Sequence, residues 1–291
     1  MSLKNLSGIV STIDFHVTSE CNQECPYCWG PQDIEHPVDT DTALAIIDKI
    51  SKTGAKRIVF TGGDPLKRDD IATLIEHAKS INLEVAVSTT GDELTPAYLE
   101  RIAPSIDLIS IPLDGPSEVA NAATKKEGHF TAVMRTLAWL RSYPSIDVKL
   151  CSPVTKRNLK YIPAVAHLAS HYAGTTEARI FYNIFQAFPR SIGEVDWDEL
   201  IVTKEEFKNL KTRIKKEKLT AVNFLDHETL DKLYLMVFPD GSLVVPQGSE
   251  FPSYGQFLEV DDFEAVIQDS SFDSTKHLRH SKAWQKPKKT S

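Results

Sequence analysis

The stretch CNQECPYC, residues 21–28, brings three of the chain's four cysteines into one short loop. Three thiolates so close together can bind three irons of a [4Fe–4S] cluster, which leaves the fourth iron without a protein ligand. A cluster that only transfers electrons normally has four cysteine ligands, whereas an open position on a metal is typical of a catalytic site. The spacing therefore predicts a reactive iron–sulfur cluster held by Cys21, Cys25 and Cys28.

Two other interpretations of the cysteine loop stay open on spacing alone. A zinc site of three cysteines and one histidine could use His16 as its fourth ligand. Such a site would be cramped, because His16 lies in or beside the preceding strand and zinc sites usually draw on two separate ligand pairs. The cysteines could also be unrelated buried side chains, which their close spacing disfavours.

The loop follows the first element of a strand and helix alternation that runs through most of the chain. Short β-branched runs predict six strands, at Val10–Val17, Arg57–Phe60, Glu84–Ser88, Leu108–Ile111, Asp147–Leu150 and Ala178–Phe185. Apolar spacing of three and four residues predicts helices between them, at Asp41–Lys52, Ile71–Ser80, Pro96–Ile102, Phe130–Ser142 and Leu159–Tyr172. This order implies an α/β protein with a parallel sheet, either a partial barrel or an open doubly wound sheet. In both, the active site lies at the carboxyl ends of the strands.

The pattern changes after residue 190, so we predict a core unit over residues 1–190 and a C-terminal extension over residues 191–291. The extension contains a charged amphipathic helix, Lys204–Lys218, and a hairpin, Tyr234–Val245, which turns at Asp240-Gly241. A basic, polar tail follows them. We expect the extension to close the mouth of the core.

Composition limits the class of protein and its partners. The net charge of −7 gives no general basic field that would attract nucleic acid or an anionic membrane. No apolar run approaches the ~20 residues that a membrane span needs, and the first residues lack the layout of a signal peptide. Four cysteines, three of them clustered, form a poor disulfide framework. We therefore expect a cytoplasmic protein that acts on small molecules.

Two motifs together resemble the radical S-adenosylmethionine (SAM) superfamily. The first is the C-x3-C-x2-C loop after the first strand, with the aromatic Tyr27 before the third cysteine. The second is the segment from Thr61 to Pro65 (TGGDP), which resembles the family's GGE(P) motif at the end of the second strand. The resemblance implies a partial (βα)6 barrel, and it implies that Gly62, Gly63 and Asp64 bind the amino group of SAM. Asp64 departs from the family's glutamate by one methylene group.

Weaker matches follow at later strand ends. Ser88 and Thr90 lie in a segment that resembles the family's polar turn near the methionine and ribose of SAM. Leu113-Asp114-Gly115 resembles its S-x-D-G segment, with Pro112 where a serine is common. Ser152 occupies a position where a polar residue often meets the SAM ribose. Each of these segments is also a plausible turn or helix cap.

The resemblance implies one [4Fe–4S] cluster and SAM as cofactors, a reductant such as flavodoxin or ferredoxin, and radical chemistry on a small organic substrate. Reductive cleavage of SAM would generate a 5′-deoxyadenosyl radical, which abstracts hydrogen from that substrate. Many members carry a cysteine-rich extension (SPASM or twitch) for further clusters. This chain has no cysteine after Cys151, and its FPDGSLVVPQG segment resembles the hairpin of such an extension without its cysteines.

The layout is also similar to that of viperin-like enzymes, which modify nucleotides, so a nucleotide or a sugar is a candidate substrate. Five cations could then form a phosphate site: Lys149, Arg179, Lys276, Arg279 and Lys282. A second hypothesis concerns Cys151, which ends the fifth strand and could return a hydrogen atom to a substrate radical, as in radical epimerases. Free cysteine is more often a small buried apolar side chain.

Overall fold

The computed structural model describes residues 8–31, 33–189, 195–219 and 221–282. Within these residues, seven parallel strands lie side by side in chain order. They are β1 (Thr12–His16), β2 (Arg57–Thr61), β3 (Glu84–Ser88), β4 (Leu108–Pro112), β5 (Asp147–Val154), β6 (Ile180–Gln186) and β7 (Val222–Leu225). Their helices are α1 (Thr40–Thr53), α2 (Ile71–Ser80), α3 (Pro96–Ile102), α4 (Glu118–Asn121), α5 (His129–Leu140), α6 (Ile162–Ala173), α7 (Trp197–Leu200) and α8 (Lys204–Lys216).

The rest of the described chain adds to the other edge of the same sheet. It contains α9 (His227–Leu230), β8 (Met236–Val237), β9 (Ser242–Val244), β10 (Ser253–Gln256), α10 (Phe263–Asp269) and α11 (Ser274–Lys282). β8 pairs parallel with β1, and β9 and β10 follow antiparallel. The strand order is β10-β9-β8-β1-β2-β3-β4-β5-β6-β7, so the sheet is open and its two ends do not pair. This confirms the predicted partial α/β barrel.

Local sequence signals explain the individual elements. Asp39 caps α1 by accepting a hydrogen bond from the Thr42 backbone N–H, and Gly54 ends the helix in the left-handed conformation at φ 89°. The predicted hairpin is confirmed, because β8 and β9 pair antiparallel. In its turn, the Ser242 N–H donates to the Asp240 carboxylate at 3.0 Å. β7 was not predicted, since its four residues are too short to give a periodic signal.

Strand alternation separates an outer face from an inner one. In β1, Ile13 and Phe15 are fully buried in the core, whereas Asp14 and His16 line a central cavity, which we call the lumen. In β5 the same period of two places Lys149 and Cys151 toward the lumen. The inner face of the barrel therefore carries polar side chains from strands whose outer face is apolar.

Hydrogen bonds connect α11 to the start of β1. The His277 ring accepts hydrogen bonds at Nε2 from the backbone N–H groups of Ser11 (2.9 Å) and Thr12 (3.2 Å). Its Nδ1 donates to the Leu233 carbonyl at 2.9 Å. The predicted boundary between core and extension, after residue 190, falls among residues 190–194, which lie outside the described residues. The boundary therefore stays a prediction. The end of the basic tail also lies outside the described residues.

Candidate active site

Most of the predicted site residues meet at one cavity of about 320 Å³, at the carboxyl ends of the parallel strands. Those that line it are Cys21, Cys25, Tyr27, Cys28, Gly62, Gly63, Ser88, Thr90 and Cys151. The cysteine loop forms one wall, the turns after β2 and β3 form the next, and β4, β5 and β6 complete the lumen. Asp64 and Ser152 lie beside this cavity without lining it.

The cysteine loop holds its three thiols on one side of the cavity. A backbone hydrogen bond from Cys28 N to Cys25 O, at 3.0 Å, closes the turn between the last two cysteines. Desolvation within the loop raises the pKa of the Cys21 thiol to about 11, and burial likewise raises the pKa of Cys25. The Cys21 thiol is therefore protonated at neutral pH, and a bound metal would have to displace that proton.

The glycines after β2 are required by a close approach to the chain that enters the cysteine loop. Gly63 N–H donates to the Thr18 carbonyl at 2.8 Å, and Asp64 N–H donates to the Glu20 carbonyl at 2.6 Å. A Cβ atom on Gly62 or Gly63 would overlap the backbone of Thr18 or Glu20, and Gly62 also has a φ of 143°. The two motifs of the sequence are therefore one packed unit.

The Asp64 carboxylate is fully buried and bonded to protein donors. One oxygen accepts from Leu66 N–H at 3.0 Å, and the other from the Thr90 hydroxyl at 2.6 Å and from Thr90 N–H at 3.0 Å. The Thr89 hydroxyl lies 2.9 Å from both oxygens. Burial raises the pKa of Asp64 although these donors oppose the rise. The family resemblance predicts that this carboxylate pairs with an ammonium group, whereas in the structure it joins the turn after β2 to the turn after β3.

A second buried network contains Lys125, which the sequence analysis did not select. Lys125 Nζ lies 2.9 Å from Cys25 Sγ and 5.3 Å from the centre of the Tyr27 ring. The Tyr27 hydroxyl donates to the fully buried Asp114 carboxylate, which also accepts from Thr124 at 2.7 Å. Burial alone would lower the pKa of Lys125, but the Cys25 and Asp114 anions outweigh it and hold the pKa above its usual value.

Cys151 and Ser152 lie on opposite faces of β5. Cys151 lines the cavity, with its sulfur 3.5 Å from the Ser110 hydroxyl. Ser152 is fully buried, donates to the Leu113 carbonyl and lies 2.8 Å from the Tyr182 hydroxyl. The structure therefore does not bring Ser152 to the predicted ribose contact, because the alternation of the strand turns its hydroxyl away from the cavity.

The lumen below the cysteine loop carries three further polar side chains, His16, Asp14 and Lys149. His16 is only 4% exposed, and neither ring nitrogen has a hydrogen-bond partner among the described residues. Burial lowers the pKa of His16 to about 3, so its ring is neutral near pH 7. Burial raises the pKa of Asp14 to about 7, although the charges of Lys149 and Arg57 oppose that shift.

The five cations of the predicted phosphate site do not gather in the structure. Lys149 lines the cavity, but Arg179 pairs with Asp147, its Nε 3.1 Å from a carboxylate oxygen. Lys276 donates to the Glu228 carbonyl at 2.9 Å, while Arg279 and Lys282 are exposed on α11.

In the part of the chain that the structure describes, no three His, Cys, Asp or Glu side chains converge on the position of a single metal ion. A zinc ion held by the three cysteines and His16 would require such a convergence, whereas a cubane cluster distributes its thiolates over three separate irons.

The sequence that forms this site matches a known family. The family model described as the radical SAM superfamily matches residues 15–169. This chain belongs to the radical SAM superfamily. Enzymes of this superfamily use a [4Fe–4S] cluster and SAM, which confirms the predicted family and, at the level of the family, its cofactors.

Curated relatives support the assignment over different shares of the chain. The AdoMet-dependent heme synthase of Nitratidesulfovibrio vulgaris is 33% identical over 163 residues, which is 54% of this chain and 44% of that protein. The S-adenosylmethionine-dependent nucleotide dehydratase of Flammeovirga pacifica is 24% identical over 273 residues, or 87% of this chain and 89% of the relative. The chain spans about half the length of the first curated relatives it matches.

The fold has solved counterparts. The crystal structure of Streptococcus suis SuiB bound to S-adenosylmethionine superposes with a TM-score of 0.66 at 11% identity, covering 94% of this chain and 68% of SuiB. At this identity the likeness establishes the shared fold. In the described residues, no helix is long and apolar enough to span a membrane.

Proposed function

We propose that this radical SAM protein is an enzyme in which Cys21, Cys25 and Cys28 bind one [4Fe–4S] cluster and the Gly62-Gly63 turn receives the amino group of SAM. One observation carries the proposal: the three thiols and the glycine turn face the same cavity at the carboxyl ends of the strands. Ser88 and Thr90 line the adjoining wall, where the methionine or ribose of SAM would lie.

The residues present fit both cofactors. Three thiols on one loop suit a cluster with one iron left open, and backbone carbonyls beside two glycines suit an ammonium group. When bound, the cluster would supply the electron that cleaves SAM, and the resulting 5′-deoxyadenosyl radical would take a hydrogen atom from a substrate carbon. Asp64 then acts as a positioning residue, because it joins the two turns that receive SAM.

The first experiment is anaerobic reconstitution with iron and sulfide, followed by dithionite, SAM and mass spectrometry of 5′-deoxyadenosine. The native chain is expected to form 5′-deoxyadenosine, and Cys25→Ala is expected to reduce it to the level without enzyme, because one cluster ligand is lost. Cys151→Ala is the matched control, since Cys151 lies outside the loop, and it should keep its iron. A native chain that retains zinc instead of iron, and forms no 5′-deoxyadenosine, would contradict the proposal in favour of a structural zinc protein.

A small organic molecule, held in the lumen against Lys149 and Cys151, is the proposed substrate. A nucleotide is one candidate, supported by the end-to-end likeness to the F. pacifica nucleotide dehydratase and by the Lys149 cation in the cavity. The dispersed positions of the other four cations weaken the case for a triphosphate, so sugars belong in the same screen. The proposed electron donor is a small reductant such as flavodoxin or ferredoxin, and the proposed location is the cytoplasm.

A second candidate function is radical epimerisation or a related redox reaction, with Cys151 as hydrogen donor. Its thiol faces the cavity beside Ser110, where a substrate radical would lie. The S–H bond would break homolytically and a C–H bond would form on the substrate. The sulfur radical left behind would then require one electron from the external reductant and one proton to restore the thiol.

The test uses the substrate found in that screen, in deuterium oxide. Native protein should place solvent-derived deuterium on the product carbon, because a thiol proton exchanges with solvent. Cys151→Ala should lose that deuterium at least tenfold while still forming 5′-deoxyadenosine. Normal turnover by Cys151→Ala, with unchanged label and stereochemistry, would remove Cys151 from the reaction.

A further inference from the structure

Lys125 lies in the connection between α4 and α5, yet its side chain is buried against the cysteine loop. Its ammonium is 2.9 Å from Cys25 Sγ and 5.3 Å from the centre of the Tyr27 ring. The residue is only 9% exposed. A cation removed from water needs a negative or strongly polar partner to offset the cost of desolvation. The partner that this site offers at hydrogen-bond distance is a cysteine sulfur.

The surrounding groups direct this ammonium to Cys25 rather than to a carboxylate. Asp114, the nearby buried acid, accepts hydrogen bonds from Tyr27 and Thr124. The neighbouring lysine, Lys126, pairs instead with the exposed Glu24 carboxylate at 2.7 Å. Cys21 is supported differently, since its sulfur accepts a bond from the Gln23 backbone N–H at 3.3 Å. Among these neighbours, Cys25 is therefore the hydrogen-bond partner of Lys125, and Asp114 acts on the ammonium through its charge.

We propose that Lys125 is a positioning residue that sets the reduction potential of the cluster through Cys25; the inference rests on the proposed function, since it requires the cluster to be bound there. The potential of an iron–sulfur cluster depends on its net charge, on hydrogen bonds to its sulfurs and on its exposure to solvent. A charged donor on a ligand sulfur stabilises the reduced cluster more than the oxidised one, because the reduced form carries one more negative charge. Lys125 thus raises the potential and makes the cluster easier for a biological reductant to reduce.

The experiment compares Lys125→Met with Lys126→Met in the reconstituted full-length chain. Lys126→Met removes an exposed cation and its pairing with Glu24, but it leaves the contact between Lys125 and Cys25 in place. Midpoint potentials are measured without SAM, by redox titration followed with electron paramagnetic resonance, at matched iron and sulfide content. Lys125→Met is expected to lower the reduction equilibrium constant of the cluster at least tenfold. For a one-electron couple, this lowers the midpoint potential by about 59 mV. Lys126→Met is expected to keep the native potential.

Two further variants keep the test decisive if Lys125→Met fails to take up iron. Lys125→Arg retains the charge and should stay near the native potential, whereas Lys125→Gln retains only a donor and should fall below it. Equal potentials in the native, Lys125→Met and Lys125→Gln proteins would overturn the inference. So would a loss confined to SAM affinity, measured by equilibrium dialysis, because Lys125 would then serve SAM. A native chain that binds no cluster would instead contradict the proposed function.

Discussion

Two buried polar side chains at neighbouring strand ends are accommodated in opposite ways. Asp64, just after β2, is fully buried, and both of its carboxylate oxygens accept hydrogen bonds from Leu66 and from the two threonines after β3. His16, at the end of β1, is 4% exposed, and neither of its ring nitrogens has a partner among the described residues. The two strands pair directly, His16 against Thr61.

The difference separates a part of the site whose polar groups are all paired within the protein from a part where we expect a ligand to supply a partner. Buried polar groups are almost always hydrogen-bonded, so an unpaired one needs an explanation. The Asp64 network fixes the turns on which the cofactors are proposed to lie, and it is complete without them. His16 lines the cavity, where a bound molecule would supply the missing partner. The turns after β2 and β3, which we call the cofactor wall, are thus preorganised. In the lumen, the His16 ring nitrogens have no protein partner among the described residues.

The largest effect expected from this comparison is that of Asp64→Ala. Removing the carboxylate leaves the Thr90 N–H and hydroxyl, the Thr89 hydroxyl and the Leu66 N–H without their acceptor. Each unpaired buried donor costs about 1–3 kcal/mol, and partial relaxation should leave a net loss of about 3 kcal/mol in the free energy of unfolding. Chemical denaturation of the protein without cofactors measures this loss, and SAM binding to the reconstituted protein should weaken as well.

Asp39→Ala is the matched control, because Asp39 is a carboxylate that caps α1 away from the cavity. It should cost about 1 kcal/mol, the usual loss for a helix cap, and leave SAM binding unchanged. If Asp64→Ala were as stable as native protein but could not bind SAM, Asp64 would be a direct ligand of the ammonium group. The sequence-based assignment of its role would then replace the positioning role.

Much of the cofactor wall could be predicted from the sequence because its determinants are local. The C-x3-C-x2-C spacing and the Gly62-Gly63 pair depend on one loop and one turn, and both lie where the strand and helix periodicity places them. The hairpin at Asp240-Gly241 is local in the same sense. Short-range chemistry of this kind is preserved in a linear pattern, so spacing predicts the cysteine loop and the family resemblance predicts the role of the glycine pair.

The remaining features depend on contacts between distant segments, which spacing alone does not encode. Lys125 belongs to a Lys-Lys pair that is typical of a solvated loop, and only the fold brings it to Cys25, 100 residues earlier. Ser152 was selected by the family resemblance at the end of the predicted fifth strand, but one residue of alternation decides whether a side chain faces the cavity or the core. Two of the five predicted phosphate-site cations are held elsewhere for a similar reason, since Arg179 pairs with Asp147 and Lys276 donates to the Glu228 carbonyl.

His16→Phe is expected to change the free energy of unfolding by less than Asp64→Ala does, and in the opposite direction. The variant removes two unpaired buried nitrogens, and the ring of Phe238, 5.2 Å from that of His16, offers an aromatic neighbour. Replacing an unsatisfied polar group by an apolar one of similar shape should raise the free energy of unfolding by about 1 kcal/mol at pH 7. The same change should lower substrate-dependent 5′-deoxyadenosine formation by about tenfold, because the bound molecule loses one hydrogen-bond partner.

The pH dependence of the stability that His16→Phe gains provides a second readout. The pKa of His16 is about 3 in the folded protein, against a usual 6.5. Between those values the unfolded chain binds a proton here that the folded protein does not, so native stability falls as the pH drops from about 6.5 toward 3. His16→Phe escapes that loss, and its gain in stability over native protein should therefore be larger at pH 5 than at pH 7.

His171→Phe, at an exposed position of α6, should change stability by less than about 0.5 kcal/mol at pH 7. A destabilised His16→Phe protein would mean that the imidazole already has a protein partner, and the contrast with Asp64 would disappear.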